Sequence, residues 1–145
     1  MSASENLKNN QMTPLLIRVV ALALRNSVTG KYMLARRGPG QSGAGEWEFP
    51  GGKIEAGETQ KHALVREIKE ELNFDLEENA LVLIGENTHH YPNRSIQIFL
   101  WGCEINFEPQ FQLTDHDETA WFTPEKIKEV GLSRGDKYFI SLLKS

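Results

Sequence analysis

The chain is poor in cysteine: Cys103 is the single one. That excludes an internal disulfide framework and a multi-cysteine metal site. A long apolar run is also missing. A bilayer-spanning helix needs about 20 consecutive apolar residues, and the longest candidate, residues 15–24, is broken by Arg18. Residues 1–13 are polar, carry Glu5 and show no basic start followed by an apolar stretch, so no secretory signal is read there. A reducing, cytoplasmic compartment and no membrane partner are the expectations. A surplus of positive charge is absent too: 16 Lys and Arg stand against 20 Asp and Glu, for a net charge of −4. Proteins that bind the phosphates of long nucleic acid usually carry a basic surplus or stripe, so no long nucleic acid is expected as a partner. For a phosphate-bearing ligand, this acidity calls for a divalent metal as mediator. No repeat, low-complexity segment or dividing linker appears.

What is present suits one folded unit. The 145 residues are 39% hydrophobic and 25% charged, which is enough to bury a core. Residues 1–13 read as a flexible N-terminal tail and residues 14–145 as a single domain. Residues 15–24, with Ile17, Val19 and Val20, read as a buried strand. Residues 26–31 suit a hairpin connection into a strand over 32–35. Residues 38–45 hold four glycines and a proline and make a loop. A short strand over 47–49 ends at Pro50, and Gly51-Gly52 force a tight backbone passage. Thr59 caps a helix running to about Leu72, with Leu64, Ile68 and Leu72 as its buried stripe. Residues 80–84 and 95–105 read as an antiparallel pair joined by a turn within 89–94. A short strand over 119–122 follows, then a helix from Thr123-Pro124 through about Val130, and a last helix over 136–143. Strands, helix, strands, helices in that order predict a mixed sheet flanked by helices, in an α+β or α/β/α arrangement.

The informative segment is the acidic helix and the glycine turn before it. On a helix of about 100° per residue, Glu70 lies about 60° to one side of Glu67 and Glu71 about 40° to the other. The three carboxylates are expected on one face, opposite the Leu64, Ile68 and Leu72 stripe. Like charges so close are unfavourable unless something positive joins them, and a hard, oxygen-seeking cation such as Mg²⁺ is the natural partner. Arg66 stands at i,i+4 to Glu70, and the glycines allow a backbone carbonyl to approach a metal.

The full spacing is Gly52, five residues, Glu58, seven residues, Arg66-Glu67-Ile68, one residue, Glu70-Glu71, one residue, Asn73-Phe74. It resembles the signature of the Nudix hydrolases, departing from it at Asn73, where the family has Gly, and at Phe74, where it prefers an aliphatic residue. Asn tolerates the left-handed conformation that follows a helix end. The resemblance implies the Nudix α/β/α sandwich around a mixed β-sheet. It also implies a Mg²⁺- or Mn²⁺-dependent pyrophosphohydrolase acting on a nucleoside diphosphate linked to a group X. By the same resemblance Glu67, Glu70 and Glu71 are metal ligands, with the carbonyl of Gly51 or Gly52 nearby. Glu67 is also a candidate base, and Glu58 and Arg66 support the loop and helix. Arg36-Arg37, the segment Trp47-Glu48-Phe49-Pro50-Gly51-Gly52-Lys53-Ile54-Glu55 and Tyr91-Pro92-Asn93-Arg94 resemble the short MutT-type branch. That likeness implies Arg37 on phosphate, Phe49 lining the nucleotide pocket and Arg94 at the nucleoside. Asp115-His116-Asp117-Glu118 resembles a loop that supplies a further acidic ligand or base; Asp115 fits best by its spacing to Trp121, with Glu118 in reserve. His89, His90 and His116 lie near no cysteine or HExxH pattern and carry no transition-metal reading.

The group X is left open by the signature. A nucleoside diphosphate sugar is the favoured expectation, with MutT-type cleavage of nucleoside triphosphates (dGTP or 8-oxo-dGTP) as the alternative. Removal of pyrophosphate from RNA 5′ ends and a non-catalytic binding module rank below both. Where MutT-type enzymes read guanine with an asparagine, this chain aligns Asp136, which accepts hydrogen bonds without offering an amide donor and also suits a helix cap. Lys137 offers a charge to a terminal phosphate or sugar. Relatives of the two kinds imply either a homodimer or a monomer.

Overall fold

The computed structural model describes residues 15–145, so the expected tail, residues 1–13, lies outside the described residues. The first apolar run forms strand β1 (Leu15–Asn26) and continues past Leu24. It pairs in parallel with β6 (Arg94–Ile105) along its whole length, Leu15 facing Arg94 and Asn26 facing Ile105. A parallel pair buried on both faces explains why the run is apolar without alternation. At the hairpin, the Asn26 side-chain oxygen accepts from Val28 N at 2.9 Å and leads into β2 (Lys31–Arg37). β2 pairs with β1 only at Arg25–Tyr32 and Asn26–Lys31. Farther along, β4 (Gly51–Lys53) takes the same partner at Val19 to Ala21. β2 pairs instead with β3 (Trp47–Glu48) and with β7 (His116–Phe122). β5 (Val82–Tyr91) closes the sheet against β6, giving the order β3-β2-β1-β6-β5 with β4 on β1 and β7 on β2.

Alternate residues of β1 serve two cores. Val20, Leu22 and Leu24 meet Leu64, Ile68 and Leu72 of helix α1 (Gln60–Leu72). Ala21 and Ala23 turn to a second cluster with Leu34, Leu100, Ile127 and Phe139. That cluster is covered by helix α2 (Pro124–Ile127) and a 3-10 turn, Asp136–Leu142. The mixed sheet therefore lies between helical layers, as expected, with a thinner layer on the second side. Among the described residues no helix is long and apolar enough to cross a membrane.

Several element boundaries differ from expectation. α2 stops at Ile127 instead of running to Val130, because the following chain is drawn to β3. Trp47 N donates to Gly131 O at 2.9 Å, and Ser133 N donates to Trp47 O at 2.8 Å. The last helix is 3-10 rather than α. β3 ends at Glu48, one residue short of the expected strand; the Pro50 carbonyl nevertheless accepts from Leu22 N at 2.8 Å, and the next three residues pair with β1 as the unexpected β4. β5 begins at Val82, after a 3-10 turn over Glu78–Ala80. β5 and β6 run through most of the expected turn, leaving Pro92-Asn93 between them. β7 begins at His116, three residues earlier than expected.

Candidate active site

The loop ahead of α1 is fixed from both ends. Thr59 accepts from His62 N at 3.1 Å and caps the helix. Glu58 Oε1 accepts from Glu55 N at 2.9 Å. Arg66 clamps Glu58 with two bonds, Nε to Oε2 and Nη2 to Oε1, both 2.8 Å, and also donates to Lys53 O at 3.1 Å. Its Nη1 reaches Glu67 Oε1 at 2.9 Å and Glu70 Oε2 at 3.4 Å. The Arg66 hydrogen bonds hold the Glu58 carboxyl down at about pKa 2, and Arg66 itself is raised, chiefly by Glu58. One guanidinium thus ties the glycine turn to two of the three helix glutamates. At the far end Asn73 adopts φ 53, ψ 39, the left-handed conformation expected of it, and its N–H donates to Lys69 O at 3.1 Å.

The three glutamates do not share one exposed face. With about 100° per residue, Glu71 falls only about 20° from Leu64, at the border of the apolar stripe rather than opposite it. Glu70 remains outside, its side chain 59% exposed. Glu67 lies against Gly52, where any Cβ would collide with its carboxyl group, and burial raises its pKa. Glu71 goes further. Its Oε2 is buried with no hydrogen-bond partner, and burial, with like charge from Glu67, Glu48 and Asp115 against the opposing effect of His116, pushes its pKa up to about 8. Gly51 is equally constrained, since a side chain there would run into Val20 O.

Beside these residues opens a cavity of about 800 Å³. Gly51, Glu71, Arg37, Phe49, Arg94, Asp115 and Asp136 all line it. Glu67, Glu70 and Arg66 do not; Gly52, against which Glu67 packs, does. Lys137 is exposed and outside the lining. Arg36 turns to β7, pairing with Asp117 at 2.8 Å and Glu118 at 3.2 Å, so Glu118 is engaged away from the cavity. Asp136 does not cap the final turn. Its Oδ2 accepts from Phe49 N at 3.0 Å inside the protein, and burial first, then Glu48, pushes its pKa up to about 7. The Arg94 guanidinium sits 5.3 Å from the centre of the Tyr91 ring.

Two cavity residues were not singled out from sequence. Glu48 accepts from Arg37 Nε at 2.8 Å through Oε1, and its Oε2 lies 2.8 Å from His116 Nε2. The pairing of β2 with β7 shifts register between Arg36 and Arg37, so Asp117 is the extra residue and His116 stands opposite Arg37. A charged residue inside a two-residue strand between Trp47 and Phe49 was the available signal for Glu48; nothing local distinguished His116 from its acidic neighbours.

Among the described residues no three His, Cys, Asp or Glu side chains already close around a point as a metal set. The chemistry of the donors nevertheless fits a hard cation. A buried carboxylate oxygen without a partner, amid further carboxylates and beside a backbone that only glycine permits, is what such an ion satisfies. Glu67 and Glu71 would hold it, with Glu70 from the rim.

A family model described as NUDIX domain matches residues 15–143. The CTP pyrophosphohydrolase of Escherichia coli (strain K12) is 33% identical over 121 residues, 83% of this chain and 86% of that protein. The 8-oxo-dGTP diphosphatase of the same organism is 32% identical over 85 residues, 59% of this chain and 64% of that one. The solution structure of the E. coli ORF135 protein superposes with a TM-score of 0.75 at 30% identity, covering 89% of both chains. The crystal structure of a MutT protein from Methanosarcina mazei Go1 shares the fold at a TM-score of 0.77 and 23% identity, covering 88% of this chain and 92% of that one. The chain therefore belongs to the NUDIX domain family, as a hydrolase of phosphoric anhydride bonds.

Proposed function

We propose that the protein hydrolyses nucleoside triphosphates to a nucleoside monophosphate and pyrophosphate, with cytosine as the preferred base. The observation that carries this reading is the Asp136 carboxyl, buried in the cavity and fixed by the Phe49 N–H. Above its raised pKa of about 7 the aspartate is ionised; it then accepts from an amino group such as cytosine N4 and offers nothing to the carbonyl that uracil has there. The activity of the E. coli relative, a CTP pyrophosphohydrolase, supports the same choice. A nucleoside diphosphate sugar would use the same anhydride chemistry. Lys137, offered by the sequence for a terminal phosphate or sugar, lies outside the cavity lining and favours neither; the CTP activity of the E. coli relative is what favours the triphosphate.

Arg37 and Arg94 receive phosphate oxygens and nucleoside, and Phe49 walls the base. Glu67, Glu70, Glu71 and a carbonyl of Gly51 or Gly52 would hold Mg²⁺ or Mn²⁺, which would neutralise pyrophosphate charge and lower the pKa of a water. Water attacks phosphorus, the new P–O bond replaces the anhydride P–O bond, and pyrophosphate leaves. Of the two candidate bases Asp115 lines the cavity, whereas Glu67 is engaged by Arg66; the proton passes to Asp115. Arg66 and Glu58 hold the loop and touch no reacting atom.

The test is turnover at pH 8.5, above the Asp136 pKa of about 7, with Mg²⁺ on CTP, dCTP, UTP, dGTP, 8-oxo-dGTP, UDP-glucose and ADP-ribose. A kcat/KM for CTP at least about tenfold above UTP is expected, the discrimination one base-edge contact supplies. Glu71→Gln should retain its fold and lose roughly a hundredfold in kcat, the scale on which one preorganised charge-stabilising group acts. Equal rates on CTP and UTP, or preference for UDP-glucose, would overturn the substrate assignment.

A further inference from the structure

We propose that His116 is a positioning residue for substrate binding, which acts through Glu48 to hold the Arg37 guanidinium toward the phosphates of the nucleotide. The inference rests on the reading of Arg37 given above.

Three residues from three strands form one chain of contacts. Arg37 Nε donates to Glu48 Oε1, and His116 Nε2 meets Glu48 Oε2, both at 2.8 Å. Glu48 is therefore held at both oxygens, on a side chain that is 16% exposed, with a His116 side chain only 3% exposed. A second bond, Arg37 Nη1 to Ser42 O at 2.7 Å, fixes the plane of the guanidinium. Its Nη2 makes no hydrogen bond to a described residue, while Arg37 lines the cavity. A planar fork anchored at Nε and at Nη1 presents Nη2 in a set direction, which suits phosphate oxygens.

The backbone is built for this contact. Without the register shift Arg37 would face Asp117 across the strand pair; with it, Arg37 faces His116. A bulge that re-aims a side chain beside a site is a common device. Gly38, next along β2, donates to Asp115 O at 3.1 Å, and a side chain there would press on that same carbonyl. The His116 ring has no other protein partner: its Nδ1 is buried and unpaired. Among the described residues the one hydrogen-bond partner of the imidazole is Glu48. Remove it and one Glu48 oxygen loses its partner, so the carboxylate turns and the Arg37 fork loses its anchor direction.

The experiment measures kcat and KM for CTP with saturating Mg²⁺ in Arg37→Ala, His116→Leu, the double variant, His116→Gln and His116→Asn, with melting temperature as the fold control. His116→Leu should raise KM about tenfold and leave kcat within about twofold, the pattern of lost uniform binding. The double variant should bind no worse than Arg37→Ala, because the histidine acts through the arginine. His116→Gln, whose amide nitrogen reaches about as far as Nε2, should restore most of KM; His116→Asn, one carbon shorter, should not. If the leucine variant does not fold, the Gln and Asn pair decides on the same criterion. A fall in kcat at unchanged KM, an additive double variant, or equal behaviour of Gln and Asn would overturn the proposal. If Arg37→Ala leaves KM unchanged, the binding role of Arg37 falls first. If Arg37→Ala raises KM and His116→Leu does not, only the positioning role falls.

Discussion

Asp136 keeps its carboxyl where charge is penalised. Burial and the neighbouring Glu48 raise its pKa to about 7, against the lowering effect of the Phe49 N–H, Ser133 and Arg37. An aspartate in the unfolded chain ionises near pH 4. Between about pH 4 and 7 the folded protein thus holds a proton that the unfolded chain has released, and the stability this site contributes falls as pH rises through that window, then levels off. Asparagine keeps an oxygen for the Phe49 N–H and cannot ionise. Asp136→Asn should therefore gain on the wild type, in melting temperature, from pH 4.5 to 7.5, with a constant difference above that. A difference that stays constant from pH 4.5 upward would mean that Asp136 is already ionised at the lowest pH. At this scale the sequence was informative about which residue types belong to the site. It was less informative about their surroundings: the reading set Glu71 with Glu67 and Glu70 opposite the Leu64 stripe, although at about 100° per residue it falls only about 20° from Leu64, and the packed structure buries one of its oxygens without a partner.

Helix α1 shows how much of an element is written locally. Thr59 caps it, Leu64, Ile68 and Leu72 face the core, and Asn73 ends it, all as the sequence indicates. The ending can be tested directly. Asn73 holds φ 53, a conformation that costs an L-residue with an ordinary side chain roughly 1–2 kcal/mol. Asn73→Ala should lose about 1 kcal/mol in urea denaturation, whereas Asn73→Gly, the residue of the family signature, should equal or exceed the wild type, offset by the lost Asn73 Nδ2 bond to Gln112. Equal losses for Ala and Gly would show that the Gln112 bond, and not the backbone, is what matters. Elements governed by distant partners were harder to read. β4 exists because β1 offers Val19 to Ala21 as partners, although Pro50-Gly51-Gly52 reads as a turn. α2 is cut short because Trp47, far back in the chain, takes Gly131 and Ser133 into backbone bonds. β7 starts early because Arg36 pairs with Asp117 and Glu118 across the strands, which turns a loop-like acidic run into sheet.

On the scale of the whole molecule the cavity joins pieces far apart in sequence, from Ile17 to Asp136, so ligand binding reports on the complete fold. Its charge is mixed in a particular way. Arg37, Lys53, Arg94 and Arg134 share the lining with Glu46, Glu48, Glu71, Asp115 and Asp136, in a chain of net charge −4. A triphosphate entering alone meets repulsion from the ionised acids among them, and a divalent cation entering alone must displace the proton that burial holds on Glu71. Each ligand removes the other's obstacle, which makes their binding a positive coupling. Melting curves with a non-hydrolysable α,β-methylene analogue of CTP measure it. With Mg²⁺ and analogue together at about 100 times the dissociation constant, the stabilisation is about 2.7 kcal/mol, on the order of 5–10 °C for a chain of this size. Either ligand alone should give less than half of that, and the joint shift should exceed the sum of the two. Glu71→Gln should abolish the excess while leaving the analogue's own small shift, since Arg37 is untouched in that variant. An analogue shift in EDTA as large as that with Mg²⁺ would mean that the arginines alone overcome the acidic lining, and the metal would then serve the chemical step without serving binding.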